Sequence, residues 1–545
     1  MKVTRRKLLF AGLGIAGASF VGKTYGPYIR RALRRRRENI LLIICDAMRG
    51  DVIGKVINGQ EVTPNLNKLA AEGTCFLNAY SASSFTKTSM ASIFSGIYAP
   101  GHGVESSLFT LPDCPSIARY LAEKGYYCAG IAANPFMNSE LGVNAAPIQS
   151  GGFGFGCSFS HYPNQLPDVA FPEPIPSGLE ELGCFPDGAR VNMALSNLLE
   201  KGVRSPPSED QPLFIYLHYM DSHQPWLRAK AVEGITGRFH GNKGGIEELY
   251  LGDVSVIHRL LFEGGADKKN VTPEEIETLK AVYHEASAYA DRCVGEALNV
   301  LEKAGMLAKT TVILTSDHGD ELMEHGNIGH AKNLFNTSLH VPLIVKRRGG
   351  RRRSVRERVS NAMIFPTIAE WFGDRLPAED IDSLSPYLCN RAIGNSEIFA
   401  TLGNWDKLIS PDGMAVFKNG KEHLFYNVDS DAAEREPLPE NKELLEALSK
   451  RRNYSKALAE QSGVVRRFST YEWQNEWARE QNRRADELVR EGTLTPVEAV
   501  RLKSLGQFIP EKELERIAQD VGRRIIPATI SEERRKQLRA LGYLE

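Results

Sequence analysis

The 545-residue chain carries 67 Lys plus Arg against 67 Asp plus Glu, with 42% hydrophobic and 25% charged residues. That balance gives no electrostatic reason to expect a nucleic-acid partner, and the composition is that of a globular protein long enough for more than one domain. The eight cysteines (45, 75, 114, 128, 157, 184, 293 and 389) contain no CxxC pair, which argues against a zinc knuckle or a dense disulfide framework and leaves room for one or two bridges after export.

At the N-terminus, Thr4, Arg5, Arg6, Lys7, Leu8, Leu9 and Phe10 resemble a twin-arginine export signal, and Leu8 to Gly22 form an apolar stretch shorter than a membrane span. Ala16-Gly17-Ala18 suits signal cleavage, whereas Arg30, Arg31 and Arg34 to Arg37 suit an uncleaved anchor. Either way the expectation is an exported, periplasmic or extracytoplasmic protein, free or membrane-associated through its N-terminus. The alternative is a basic tail on a cytosolic protein.

Asn39 to Arg49, NILLIICDAMR, is a continuous apolar run, as expected of a strand buried on both faces, and it ends at Asp46. Thr63-Pro64 starts a helix that stops at Gly73, and Ser116 to Lys124 form another opened by Cys114-Pro115-Ser116. Gly125 to Asn138 reads as a short strand and loop, and the Gly- and Pro-rich residues 145 to 187 as an insertion shaping a substrate mouth. Leu213 to Tyr219 is a second buried strand, delivering His218, Asp221 and His223 at its end; a packed core histidine is the competing reading for His218. Gly237 to Asp267 carries no functional signal.

Thr272, Pro273 and Glu275 form a capping box, and apolar residues from Ile276 to Leu301 recur at helical spacing up to Gly305. Thr311 to Lys332, TVILTSDHGDELMEHGNIGHAK, is the organising stretch: a strand, then Ser316, Asp317, His318 and Gly319, then His325 and His330. In open α/β sheets the chemistry lies beyond the carboxyl ends of strands, so Asp46, Asp317 and His318 form a candidate metal-ligand set, with Gly319 allowing a tight turn. Val341 to Val345 is a further strand. The seven arginines that follow (347, 348, 351, 352, 353, 356 and 358) make either a solvated loop or a patch for a polyanion or anionic membrane. Ile364 to Phe372 is a short helix, residues 395 to 430 suit a small antiparallel sheet, and from Asn441 the chain is charged and helical, with a capping box at Thr495, Pro496 and Glu498. RLKSLGQF at 501 to 508 loosely echoes QLRALGYL at 537 to 544.

The ordered segments NILLIICDAMRGD, FIYLHYMDSHQPW, AYADRCVGEALNVLEKAG, TVILTSDHGDELMEHG, GHAKNLFNTSLHVPLIV and HLFYNVDSDAAERE resemble the sulfatase family of the alkaline phosphatase superfamily over roughly residues 39 to 440. The resemblance implies an α/β fold with a large, mostly parallel sheet flanked by helices and a small C-terminal antiparallel sheet. The expected divisions are 1-38 signal or anchor and linker, 39-375 catalytic domain, 376-440 small subdomain and 441-545 helical extension. It also places the family's CxPSRxxxxTG segment on SASSFTKTSMASIFSG, with Thr86 at the nucleophile position, where the family has a Cys or Ser converted to formylglycine. A threonine cannot become formylglycine, and Thr88 and Met90 replace the Pro and Arg of that signal. Ala133, Asn134 and Pro135 stand where many arylsulfatases hold sulfate with Lys and His, and Ala47 replaces a second aspartate.

The resemblance therefore implies one divalent cation on Asp46, Asp317, His318 and Thr86. Two carboxylates and an imidazole suit zinc or manganese; the family also allows calcium or magnesium. Thr86 would attack a phosphoester, Lys332 would neutralise developing charge, and His223 or His330 would protonate the leaving oxygen. His218, Lys87 and Asn134 would contact a small-molecule, glycan or lipid ester. Two alternatives are sulfate-ester hydrolysis without formylglycine and a non-catalytic binding protein that keeps the fold.

Overall fold

A computed structural model of the chain describes residues 38–105, 109–110, 116–134, 137, 188–201, 211–224, 226, 271–376, 381–389, 391, 394–403, 405–419, 422–461 and 467–468. The export signal, the 145 to 187 insertion, the Gly237 to Asp267 stretch and the C-terminal capping box and echo lie outside them. Among the described residues no helix is long and apolar enough to cross a membrane.

The core of the large domain is a seven-stranded sheet. Its strands are β1 (Asn39–Cys45), β2 (Thr74–Tyr80), β3 (Tyr127–Ala132), β4 (Leu213–Tyr219), β5 (Thr310–Thr315), β6 (His340–Lys346) and β7 (Arg353–Ser360). They lie in the order β7-β2-β6-β5-β1-β4-β3. β1 runs parallel to both β4 and β5, β3 is parallel to β4 and β7 to β2, and β6 alone runs against its neighbours. β1 is central, which explains its uninterrupted apolar sequence: Leu41, Ile43 and Cys45 face one core layer, and Ile40, Leu42 and Ile44 the other.

The first layer is covered by α1 (Pro64–Glu72), α4 (Gly188–Lys201) and α5 (Pro273–Lys303). The second is covered by α2 (Thr86–Ser95), α3 (Ile117–Glu123) and α6 (Ile364–Trp371). The α5 capping box is formed as its sequence requires, with the Thr272 side chain on the Glu275 amide and the Glu275 carboxylate on the Thr272 amide. At α1 the start is as expected but the cap is not: the Thr63 hydroxyl donates to the Val52 carbonyl, and the amides of Asn65 and Leu66 are taken by Asp291 from α5.

A four-stranded antiparallel meander follows: β8 (Ile398–Leu402), β9 (Trp405–Ile409), β10 (Met414–Asn419) and β11 (Glu422–Asn427), with α7 (Lys442–Gln461) packed on it. A buried Lys407–Glu434 ion pair at 2.6 Å ties the meander to Asn336. The arginine run is not all loop. From Arg353 it becomes strand β7 on the sheet edge, where Arg358 is buried against Asp429, and Arg347 stacks on Trp371 at 4.1 Å. β2 and β7 went unread in the sequence because each mixes polar residues into a short run.

Candidate active site

The site follows from strand register. Ile44 of β1 lies opposite His218 on β4 and Thr315 on β5, and His218 lies opposite Ala132 of β3. Four neighbouring parallel strands therefore end together, and the residues just beyond them, Asp46, Asp317, His318 and Asn134, converge on one point, as parallel sheets dictate. The turn after β1 is strained: Ala47 has φ 58°, in the left-handed region that glycine usually occupies. It is held there by the Asp317 carboxylate, which accepts from the Ala47 amide at 3.1 Å, and by Tyr283 of α5, whose hydroxyl donates to the Ala47 carbonyl at 3.0 Å.

Thr86 is the first residue of α2, a helix buried along its whole length. Its Oγ1 lies 3.1 Å from His318 Nε2, and that nitrogen is 3.6 Å from Asp46 Oδ1 and 3.4 Å from Asp317 Oδ2. Both carboxylate oxygens are fully buried without a hydrogen-bond partner. Two orphaned anionic oxygens, one imidazole nitrogen and one hydroxyl around a common point, all shielded from water, are a poor arrangement by themselves and a suitable one for a divalent cation. The residues anticipated for the metal thus come together, and they fit it.

His218 and Asn134, expected as substrate contacts, both bond the Asp46 carboxylate. Asp46 Oδ2 accepts from Asn134 Nδ2 at 2.6 Å and from His218 Nε2 at 2.9 Å, while His218 Nδ1 meets the Tyr216 hydroxyl at 2.6 Å. These donors occupy Oδ2 and turn Oδ1 toward Thr86 and His318. Burial pushes the Asp46 carboxyl up, but the imidazoles of His223, His218 and His318 outweigh it and hold the group well below the ordinary carboxylate range. Asp317, buried beside the Asp46 charge, is raised instead.

His223 and His330 do reach the site: the His330 ring lies 4.1 Å from that of His318 and 4.7 Å from that of His223. Burial lowers the pKa of both imidazoles, and His330 is pushed down further by His318. Ala331, with φ 57°, ties the His330 loop to the one preceding Thr86 through its amide on the Ser84 carbonyl at 2.9 Å. Lys87 is buried in the first turn of α2, and burial pushes its ammonium down to about 7. Lys332 directs Nζ to the Ile328 carbonyl at 2.6 Å. His325 leaves the site, bonding Glu321 at 2.6 Å and stacking on Phe335 toward the meander.

Gly319 is needed for space rather than for an unusual φ: a Cβ there would meet the Thr337 carbonyl oxygen at 2.6 Å. Asp320 has no role in the sequence reading. It is fully buried, pushed up to about 6 by desolvation, and its Oδ1 meets His330 Nδ1 at 2.7 Å. The only signal for it was a second acid three residues past Asp317, a spacing too common to single out.

A family model, Sulfatase, matches residues 38–374. The chain is 26% identical over 403 residues to the multifunctional alkaline phosphatase superfamily protein PehA of Trinickia caryophylli, covering 65% of this chain and 77% of that one. It is 23% identical over 422 residues to arylsulfatase K of Xenopus laevis, covering 73% and 72%. Among solved structures, the phosphonate monoester hydrolase of Agrobacterium radiobacter superposes with a TM-score of 0.53 at 17% identity, covering 78% of this chain and 96% of that one.

Proposed function

The chain belongs to the sulfatase family and is an ester hydrolase of the alkaline phosphatase superfamily, and we propose that it is a phosphoester hydrolase or phosphoryl-group transferase in which Thr86 is the nucleophile. The observation that carries this reading is the position of Thr86. Its hydroxyl opens α2, where backbone amides and the helix dipole favour an anion, and it borders the buried Asp46, Asp317 and His318 set.

A divalent cation held by Asp46, Asp317, His318 and Thr86 would supply Lewis-acid polarisation of the ester and lower the pKa of the threonine hydroxyl. Thr86 Oγ1 forms a bond to phosphorus while the bond to the leaving oxygen breaks, the threonine proton passing to solvent. His223, whose Nδ1 is turned to the Gln224 carbonyl, or His330 beside it, gives a proton to the leaving oxygen. Water or an acceptor hydroxyl then attacks the phosphothreonine and restores the hydroxyl. Asn134 and His218 keep the Asp46 carboxylate aimed throughout.

Sulfate-ester hydrolysis is the second reading, favoured by the likeness to an arylsulfatase. An N-terminal export signal and an extracytoplasmic site of action belong to the same proposal. The test is turnover of matched aryl phosphate monoester, phosphate diester and sulfate ester by metal-reconstituted protein, with Thr86→Ala and Thr86→Ser. Phosphoester turnover abolished by Thr86→Ala and partly kept by Thr86→Ser is the expected result. Turnover of sulfate alone, or of phosphate undiminished in Thr86→Ala, refutes it.

A further inference from the structure

We infer that the sheet end opposite the candidate active site is a docking face for an anionic phospholipid surface, built around the turn between β6 and β7. The inference goes beyond the phosphoester reading and is independent of which ester is cleaved. Residues 346 to 358 hold eight Lys and Arg and one acid, in a chain with no net charge. Strand register fixes where they stand. Lys346, at the end of β6, lies opposite Val312 near the start of β5, and Arg353, which opens β7, lies opposite Thr74, which opens β2. The arginine turn is therefore at the end where the parallel strands begin. Asp46 and Asp317 are at the end where they finish, about 20 Å away along the seven-residue β1.

The turn is held in place by hydrogen bonds. The Gly350 amide donates to the Arg347 carbonyl at 2.9 Å around Gly349 at φ 67°, the Arg353 amide to the Gly73 carbonyl at 3.0 Å, and the Thr74 hydroxyl to the Arg351 carbonyl at 3.0 Å. Arg348, Arg351 and Arg352 are exposed, and among the described residues none of the three forms an ion pair; Arg352 lends its field to Glu72, which Lys346 already neutralises. Exposed Lys303 and Lys309 stand at the same end, just before β5. Of the acids there, Asp374 is paired with Lys124 and Glu38 accepts from Thr311, while Glu123 and Glu302 are exposed. Like charges fixed together in one turn repel one another, and an anionic surface removes that cost.

The occupant follows from where the chain enters the sheet. Glu38 is tied to this same end, its carbonyl accepting from the Tyr126 hydroxyl at 2.9 Å and its carboxylate from the Thr311 hydroxyl at 2.7 Å. In the sequence it is preceded by Arg30, Arg31 and Arg34 to Arg37, and before them by the apolar Leu8 to Gly22. Residues 23 to 37 span at most about 50 Å, so a membrane that takes the apolar stretch lies within reach of the arginine turn. A bilayer uses both the apolar stretch and the cations, whereas a soluble polyanion uses the cations alone. The catalytic end then opens away from the membrane, and the ester arrives from the aqueous side.

The test is cosedimentation of the full-length chain with vesicles of phosphatidylcholine alone and of phosphatidylcholine mixed with phosphatidylglycerol. The parent is compared with a variant that combines Arg348→Ser, Arg351→Ser and Arg352→Ser. Each arginine near an anionic surface contributes about fivefold to partition, so the parent's preference for the anionic vesicles should fall roughly 100-fold in the variant. Partition onto neutral vesicles should not change, and high salt should erase the difference between the two proteins. A preference that survives the three substitutions, or a parent that shows none, overturns the proposal. Arginine-dependent binding of soluble polyphosphate with no preference for anionic vesicles assigns the face to a polyanion and overturns it too. Vesicle-bound parent should turn over a soluble ester as the free parent does; inhibition on binding would put the catalytic end against the bilayer and overturn the orientation. A melting curve like the parent's shows that the variant folds.

Discussion

Replacing Asn134 with Ala removes one of the two donors on Asp46 Oδ2, the 2.6 Å bond, and leaves His218 Nε2 at 2.9 Å as the other. A hydrogen bond to a charged group contributes about 1.5–3 kcal/mol. Loss of an outer partner of a ligating group lowers metal affinity by roughly 10- to 100-fold, which is about 1.4 to 2.7 kcal/mol, so the two estimates agree. Burial shields Asp46 and the amide alike, so solvent does not replace the lost donor. The expected outcome is a cation affinity weakened about 30-fold, read by manganese titration of the chelator-treated protein. KM for the ester, measured at saturating metal, should barely change. An unchanged manganese affinity with a raised KM would refute this reasoning and return Asn134 to the substrate face assigned to it from the sequence.

Tyr283→Phe removes the hydroxyl that donates to Ala47 and accepts from the Arg49 amide at 2.8 Å; with the strained Ala47 turn released, chemical denaturation should show a loss of about 1–3 kcal/mol. Lys407→Ala leaves Glu434 charged and buried, and should cost about 3–5 kcal/mol by the same measurement. Burial lowers the His284 imidazole to about 4, so between that value and its ordinary 6.5 the unfolded chain binds a proton that the folded chain refuses. Stability is therefore lost as pH falls from 6.5 toward 4, by about 3 kcal/mol from this group, and His284→Gln should flatten that part of the pH profile relative to the parent. Gly319→Ala should lower metal affinity and stability together, because its methyl would push on the Thr337 carbonyl and move His318; an unaltered melting curve and titration would contradict the packing.

The apolar runs ending in Asp46 and Asp317 were legible because a strand buried on both faces has to be continuously hydrophobic, and a polar residue at its carboxyl end has few other uses. The α5 capping box and the small antiparallel sheet were likewise written in local residue order, and so was the family, whereas the helix that Thr86 opens was not read until the structure showed it. What the sequence could not determine was direction. Asn134 and His218 were taken as substrate contacts, yet the register that sets Ala132 and Ile44 opposite His218 aims both at the far oxygen of Asp46. Asp320 and His330 are ten residues apart in the chain and meet at 2.7 Å only because the loop after β5 folds back on itself. Residue types and strand ends are properties of the chain, whereas the pairing of donor with acceptor depends on which strands lie side by side, and that is decided only when the sheet assembles.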